Sequence, residues 1–150
     1  MAQSLAKVVV HVIFSTKNRQ PVILPDVQPR LSAYLAGGLK ELSSPAIIVN
    51  CQPEHAHVLC MLSKTLSIAE LVEQVKKSSS KWIKGQGPGL DDFHWQNGYG
   101  AFSVSESNVP KVRKYIADQA EHHKVRTFEQ EFRAFLERHG IAFDDRYVWD

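Results

Sequence analysis

The chain has 150 residues, of which 43% are hydrophobic and 23% are charged, and its formal net charge at pH 7 is +2. This length suits one globular domain spanning residues 1–150 with a buried core, and so small a charge does not by itself indicate a class of partner. Two cysteines are too few for a disulfide framework, and no apolar run reaches the length of a membrane span, so we expect a soluble, cytoplasmic protein.

The first half of the chain shows strand and helix patterns in turn. Residues 8–14 are rich in β-branched residues and predict a first strand. From Pro29 onward, apolar residues recur at three- and four-residue spacing, which predicts a first helix facing a core. The apolar runs 46–51 and 56–62 are separated by a short polar turn and predict a hairpin of two antiparallel strands.

A second helix and a fourth strand follow. Ser67 and Glu70 have the spacing of a capping box, which predicts that a helix begins there. Glycines and a proline in residues 85–89 predict its end and a loop. Residues 100–105 alternate apolar and small polar residues and therefore predict a fourth strand.

Two further helices are predicted at the C-terminal end. Asn108 precedes a valine and a proline, which predicts an N-cap and a third helix running to about residue 123. Thr127 and Gln130 have capping-box spacing and predict a final helix that stops at Gly140. The whole order is β-α-β-β-α-β plus two helices, which indicates an α+β fold of the ferredoxin-like, split βαβ type.

Four residues of the sequence are candidates for metal binding or catalysis. His55 and His57 are two apart on a predicted strand, so both imidazoles project from the same face, as metal ligands or as an ordinary half-buried pair. Tyr115 and Gln119 are four apart on the third predicted helix and therefore lie on one face. A tyrosine can attack phosphorus covalently beside a metal, although a core aromatic beside an exposed amide has the same spacing. The adjacent His122 and His123 suit the negative end of a helix dipole.

Several blocks of sequence, in this order, resemble the single-tyrosine transposases of the IS200/IS605 insertion sequences, within the HUH endonuclease superfamily. The blocks are HVIFSTKNR at 11–19, PEHAHVL at 53–59, SSSKWI at 78–83, Trp95, GYGAFSVS at 98–105 and YIADQ at 115–119. One departure is Ala56, where the family has a bulkier hydrophobe between its two histidines. The resemblance covers nearly the whole chain.

This resemblance implies roles for the residues that match the motifs. His55, His57 and Gln119 would bind a divalent metal, Mg²⁺ or Mn²⁺, and Tyr115 would be the nucleophile. The substrate would be single-stranded DNA with imperfect hairpins at element ends, cleaved to a 5′-phosphotyrosine and a free 3′-hydroxyl. Family members work as homodimers in which the tyrosine helix can also dock on the second subunit, so both placements of Tyr115 stay open.

Basic and aromatic side chains are candidate DNA contacts. Lysine and arginine can bind phosphates, and exposed aromatic rings can stack on bases, although burial is the commoner role of such rings. The basic candidates are Lys17, Arg19, Lys76, Lys77, Lys81 and Lys84. The aromatic candidates are Trp82, Phe93, Trp95 and Tyr99.

Two other functions remain compatible with the sequence. The first is a domesticated nucleic-acid-binding protein derived from such a transposase, which would not need a nucleophile beside a metal. The second is a metal-dependent phosphoesterase in which water attacks the phosphorus and Tyr115 is structural. Covalent capture of DNA on the protein distinguishes both from a transposase.

Overall fold

The computed structural model describes residues 2–150 of the chain. Within this range it has four strands, five α-helices and two short 3₁₀ turns, at Lys17–Arg19 and Glu106–Asn108. The bounds are β1 (Val9–Ser15), α1 (Gln28–Glu41), β2 (Ala46–Cys51), β3 (His55–Met61), α2 (Ile68–Ile83), β4 (Gly100–Val104), α3 (Val109–Ala117), α4 (Gln119–His122) and α5 (Phe128–Arg138).

The four strands form one antiparallel sheet in the order β2-β3-β1-β4. Together with the connections through α1 and α2, this order gives the split βαβ arrangement that the sequence predicts. The ferredoxin-like α+β fold is therefore confirmed. β1 and β3 are the two central strands, and each is buried along almost its whole length.

One face of the sheet is covered by α1 and α2, which bury the main apolar core. Even-numbered residues of β1 and β3 point to this face because successive strand side chains alternate. Leucines of α1 and apolar residues of α2 fill the space above them. The buried residues of this core include Val10, Val12, Phe14, Leu31, Leu35, Leu39, Ala56, Val58, Leu71, Val72 and Val75.

The opposite face carries the odd-numbered residues of β1 and β3 and is covered by α3 and α5. In the antiparallel register, Ile13 pairs with His57 and Ser15 pairs with His55. Apolar residues of α5 pack on Ile13 and Phe102, while α3 packs on the other end of this face. This second face therefore places the histidine pair of β3 beneath the C-terminal helices.

The predicted third helix is divided in two, so its predicted extent is wrong. α3 ends at Ala117, and Asp118, with φ −92° and ψ 19°, separates it from α4. The side-chain amide of Asn50 donates to the carbonyl of Ile116, at 2.8 Å, and so satisfies a group that a continuing helix would use. Asn108 is likewise no side-chain N-cap, because it belongs to a 3₁₀ turn and caps no helical N–H.

The other predicted helix starts are correct. Ser67 Oγ accepts the backbone N–H of Glu70 at 3.0 Å, and Thr127 with Gln130 forms a reciprocal capping box. The C-terminal tail packs on the body, where Trp149 contacts Phe128 and Phe132 of α5. No helix within residues 2–150 is both long and apolar enough to span a membrane.

Candidate active site

His55 and His57 begin β3 and are completely buried, with ring centroids 4.9 Å apart. One nitrogen of each ring is held by a neighbour. His55 Nδ1 lies 2.6 Å from Glu54 Oε1, and His57 Nδ1 lies 2.8 Å from Nε2 of the buried His11. Hydrogen bonds of this kind fix the orientation of an imidazole and direct its other nitrogen, here Nε2, toward a shared space.

Gln119 and Glu131 approach the same space from the C-terminal helices. Gln119 Oε1 lies 3.2 Å from His55 Nε2, and Glu131 Oε1 lies 3.0 Å from His57 Nε2. The amide nitrogen of Gln119 donates to Glu131 Oε2 at 3.1 Å, which turns the amide oxygen toward His55. Both residues are buried. The break at Asp118 does not prevent Gln119 from reaching the histidines.

Tyr115 lies at the edge of this cluster and contacts residues of its own chain. Its hydroxyl donates a hydrogen bond to Glu131 Oε2. Its ring stacks on His122, with centroids 4.5 Å apart, and its centroid is 6.1 Å from that of His57. The tyrosine therefore lies beside the histidine pair of the same chain.

The protonation states of these groups follow from burial and hydrogen bonding. Burial lowers the pKa of His57 to about 4, even though the hydrogen bond to Glu131 acts to raise that pKa. Burial acts to raise the pKa of Glu131, but its hydrogen bonds to His57 and Tyr115 hold that pKa well below the ordinary value. Burial and Glu131 together raise the pKa of Tyr115. At neutral pH, His57 is neutral, Glu131 is ionised and Tyr115 keeps its proton.

The donor atoms suit a divalent cation. Ligand atoms of His55, His57 and Glu131 all lie within 4.8 Å of one another, and Gln119 adds an amide oxygen. Imidazole nitrogens with amide and carboxylate oxygens form a mixed set that fits Mn²⁺ and also allows Mg²⁺. His123 lies next to this set, because its Nε2 is 3.2 Å from His55 Nε2.

The sequence did not reveal four members of the cluster: His11, Glu54, His123 and Glu131. For Glu131 there was a signal, since it lies on the apolar face of α5, between Phe128 and Phe132. A charged residue on such a face is unusual unless it has partners. His123 is not only a residue at a helix end, because it contacts His55.

The basic residues singled out in the sequence lie in different surroundings. Arg19 forms an ion pair with Glu129 at 2.7 Å. Lys76 donates to the carbonyls of Gln96 and Gly98, at 2.8 and 2.6 Å, and these bonds hold the loop that precedes β4 against α2. Lys17, Lys77 and Lys81 are exposed, and Lys84 is half-buried. The lysines of α2 lie on the sheet face opposite to the histidines. Their contact with DNA stays a prediction.

Two of the aromatic candidates are too deeply buried to stack on a DNA base. Phe93 and Trp95 are only 3% and 7% exposed, and the Trp95 indole N–H donates to Ser79 Oγ. Trp82 stacks on Tyr34, whereas Tyr99 is 38% exposed. Burial is therefore the role of Phe93 and Trp95.

A surface cavity of about 320 Å³ opens beside Tyr115. It lies between β4, α3 and α5. Aromatic and basic side chains both contribute to its wall, which includes Phe102, Lys111, Phe135 and Arg138. Tyr115 therefore forms part of the wall of a cavity that is open to solvent.

Known proteins resemble this chain in sequence and in fold. The family model "Transposase IS200 like" matches residues 4–119. The ISDra2 transposase TnpA of Deinococcus radiodurans is 25% identical over 114 residues, which is 73% of this chain and 81% of that protein.

Two solved structures share the fold. One is a protein from Deinococcus radiodurans R1 assigned as a transposase, with a TM-score of 0.61 and 21% identity, covering 79% of this chain and 98% of its own. The other is a REP-associated tyrosine transposase bound to a REP hairpin, with a TM-score of 0.61 and 15% identity, covering 82% and 73%. Because the family model spans most of the chain, this protein belongs to the IS200-like transposase family.

Proposed function

We propose that this transposase cleaves and rejoins single-stranded DNA at insertion-sequence ends, with Tyr115 as the nucleophile. The observation that supports the proposal most strongly is the position of the Tyr115 hydroxyl. It hydrogen-bonds to the carboxylate of Glu131, which also hydrogen-bonds to His57. A tyrosine needs no such position if it only fills a core. The sheet and α5 hold the surrounding side chains, so the site is organised before DNA arrives.

The cleavage step follows from the chemistry of a phenol. Tyr115 Oη attacks the phosphorus, its bond to phosphorus forms, and the bond from phosphorus to the 3′-oxygen breaks. The phenolic proton passes to Glu131, which already accepts it in a hydrogen bond, and the leaving 3′-oxygen takes a proton from solvent water to become a hydroxyl. The 5′ side of the DNA remains on Tyr115, and attack by another 3′-hydroxyl reverses the step.

The residues around Tyr115 would hold a divalent cation, Mg²⁺ or Mn²⁺. His55, His57 and Gln119 are its proposed ligands, and a bound cation supplies charge that polarises the phosphate. Glu54 and His11 hold the two imidazoles in the orientation that directs Nε2 into the site. His122 stacks on the Tyr115 ring and limits its rotation.

The proposed DNA partner carries an imperfect hairpin. The related tyrosine transposase bound to a REP hairpin supports this choice. Lys77 and Lys81 on α2 and Lys17 after β1 are proposed phosphate contacts. A homodimer, the arrangement of the family, stays a prediction. Tyr115 lies beside His57 of its own chain, so cleavage would not require the tyrosine of a second subunit.

The experiment separates cleavage from binding. His57→Ala should lose cleavage of a single-stranded hairpin substrate in the presence of Mn²⁺ while its hairpin affinity stays close to that of the wild type. Binding depends mainly on phosphate and base contacts away from the cation, and intact binding also reports a folded protein. His94→Ala is the matched control, because His94 is exposed. Undiminished cleavage by His57→Ala would contradict the proposed metal centre.

A further inference from the structure

Glu131 is a buried carboxylate in a part of the chain that the family model does not match. It lies in α5 and is 2% exposed, whereas the family match ends at residue 119. Its two oxygens face different groups. Oε1 lies 3.0 Å from His57 Nε2 and 3.7 Å from His55 Nε2. Oε2 accepts hydrogen bonds from Tyr115 and Gln119.

We propose that Glu131 is an additional ligand of the divalent cation, through Oε1, and that its Oε2 at the same time fixes the Tyr115 hydroxyl beside the cation. The inference rests on the metal centre of the proposed function and adds a ligand to it. In this arrangement one carboxylate connects the nucleophile to the ion. The C-terminal helix thereby becomes part of the active site.

The charge around Glu131 supports a cation at this point. Within residues 2–150, the basic groups within 4.0 Å of its carboxylate are the imidazoles of His55 and His57, and no lysine or arginine pairs with it. An ionised carboxylate buried without a cationic partner carries a large cost in free energy. A divalent cation held by the same two imidazoles would supply the missing charge.

The oxygen also changes which cations the site suits. Two imidazoles and one amide give a single oxygen donor, and Glu131 adds an anionic one. Hard cations such as Mn²⁺ and Mg²⁺ prefer oxygen ligands, so the carboxylate favours them over softer ions. Glu131 would bind the cation through Oε1 alone, because its Oε2 accepts hydrogen bonds from Tyr115 and Gln119.

The packing of α5 holds Glu131 in place. Phe128, Phe132 and Leu136 of the same helix are buried against Ile13 and Phe102 of the sheet. A cation that binds both β3 and α5 would add a link between these two elements to the His57–Glu131 hydrogen bond and the contact between the His55 and Phe128 rings. Cation binding should therefore stabilise the docking of α5.

The test measures Mn²⁺ binding to the full chain without DNA. Isothermal titration should show that Glu131→Gln weakens Mn²⁺ binding about tenfold or more, as losses of metal-site partners do. Glu137→Gln is the matched control, since Glu137 is exposed on the same helix, and it should bind like the wild type. Glu131→Asp, which keeps a carboxylate, should recover part of the affinity.

Hydrogen exchange of the wild type gives a second readout that needs no variant. Adding Mn²⁺ should slow exchange of the α5 backbone amides. Wild-type affinity in a folded Glu131→Gln, or unchanged exchange in α5, would overturn the inference. If His57→Ala loses Mn²⁺ binding while Glu131→Gln does not, the ligand assignment fails and the metal centre stands. If the wild type itself shows no saturable Mn²⁺ binding, both fail.

Discussion

His11 of β1 and His57 of β3 are joined by a hydrogen bond between their ring nitrogens, with 2.8 Å between His11 Nε2 and His57 Nδ1. Both rings are buried, and His11 also contacts the rings of Phe102 and Phe135 edge-on. If His57 donates through Nδ1, its Nε2 has a free lone pair directed at the active site. That form of His57, with Nδ1 donating to His11, is the one that can bind a cation through Nε2.

Removing this hydrogen bond should weaken the metal centre without removing a ligand. His11→Leu places an apolar side chain of similar size between Phe102 and Phe135 and leaves His57 Nδ1 without its partner. We expect Mn²⁺ affinity to fall about tenfold, measured by titration calorimetry. His94→Leu, a change at an exposed histidine, should leave it unaltered. Equal affinities for His11→Leu and the wild type would show that His11 does not position His57.

The close approach of α5 to the sheet depends on Gly100. A Cβ atom at this position would lie 2.9 Å from Phe132 Cζ, closer than side chains tolerate. Gly100→Ala should displace α5 and lower the free energy of unfolding by about 1–3 kcal/mol in urea titrations. Gly37→Ala is the contrasting change, because nothing lies within 4 Å of its added Cβ in α1, and it should stabilise by up to about 1 kcal/mol. Equal stabilities for Gly100→Ala and the wild type would contradict the tight contact.

Two neighbouring lysines of α2 should behave differently when changed to methionine. Lys76→Met removes the donor that fastens the carbonyls of Gln96 and Gly98, and it should destabilise the fold by about 1–3 kcal/mol. Lys77→Met should leave stability unchanged, weaken hairpin binding and lower the slope of log affinity against log salt by about one. Unfolding and salt-dependent binding measurements on both variants check the pair. An unchanged salt slope for Lys77→Met would remove it from the DNA surface.

Tyr115 should remain protonated at pH values near 10, the ordinary pKa of a tyrosine side chain. Burial and Glu131 raise its pKa above the ordinary value of 10.0. The unfolded chain therefore releases this proton at lower pH than the folded chain, so the fold loses stability as pH rises above 10. In absorbance titrations, the wild type minus Tyr115→Phe difference should show no phenolate signal near pH 10. A phenolate signal near pH 10 in that difference would contradict the raised pKa of Tyr115.

Most of the fold was predictable because its signals are local. Strand runs, apolar spacing and the caps at Ser67 and Thr127 depend on neighbouring residues, and the β-α-β-β-α-β sequence of elements indicated the fold type. The break at Asp118 was not predictable in this way. It involves the Asn50 side chain, which bonds to the Ile116 carbonyl from a strand 66 residues away.

The active site was likewise predictable only where its signals are local. The spacing of His55 and His57 on a strand predicts a shared face, whereas the role of Tyr115 came from resemblance to a family. Glu131 lies 74 residues from its partner His57, and only the docking of α5 brings the two together. Alternation within β1 places His11 on the face of Ile13, but the pairing with His57 depends on the strand register.

The most direct test of the central claim is covalent capture of DNA by Tyr115. Labelled single-stranded DNA carrying a hairpin element end is incubated with the protein and Mn²⁺, and the products are separated under denaturing conditions. The wild type and Tyr147→Phe should form a protein–DNA adduct, and Tyr115→Phe should form none. An adduct formed equally well by Tyr115→Phe, or cleavage by the wild type without any adduct, would contradict the assignment of Tyr115 as the nucleophile.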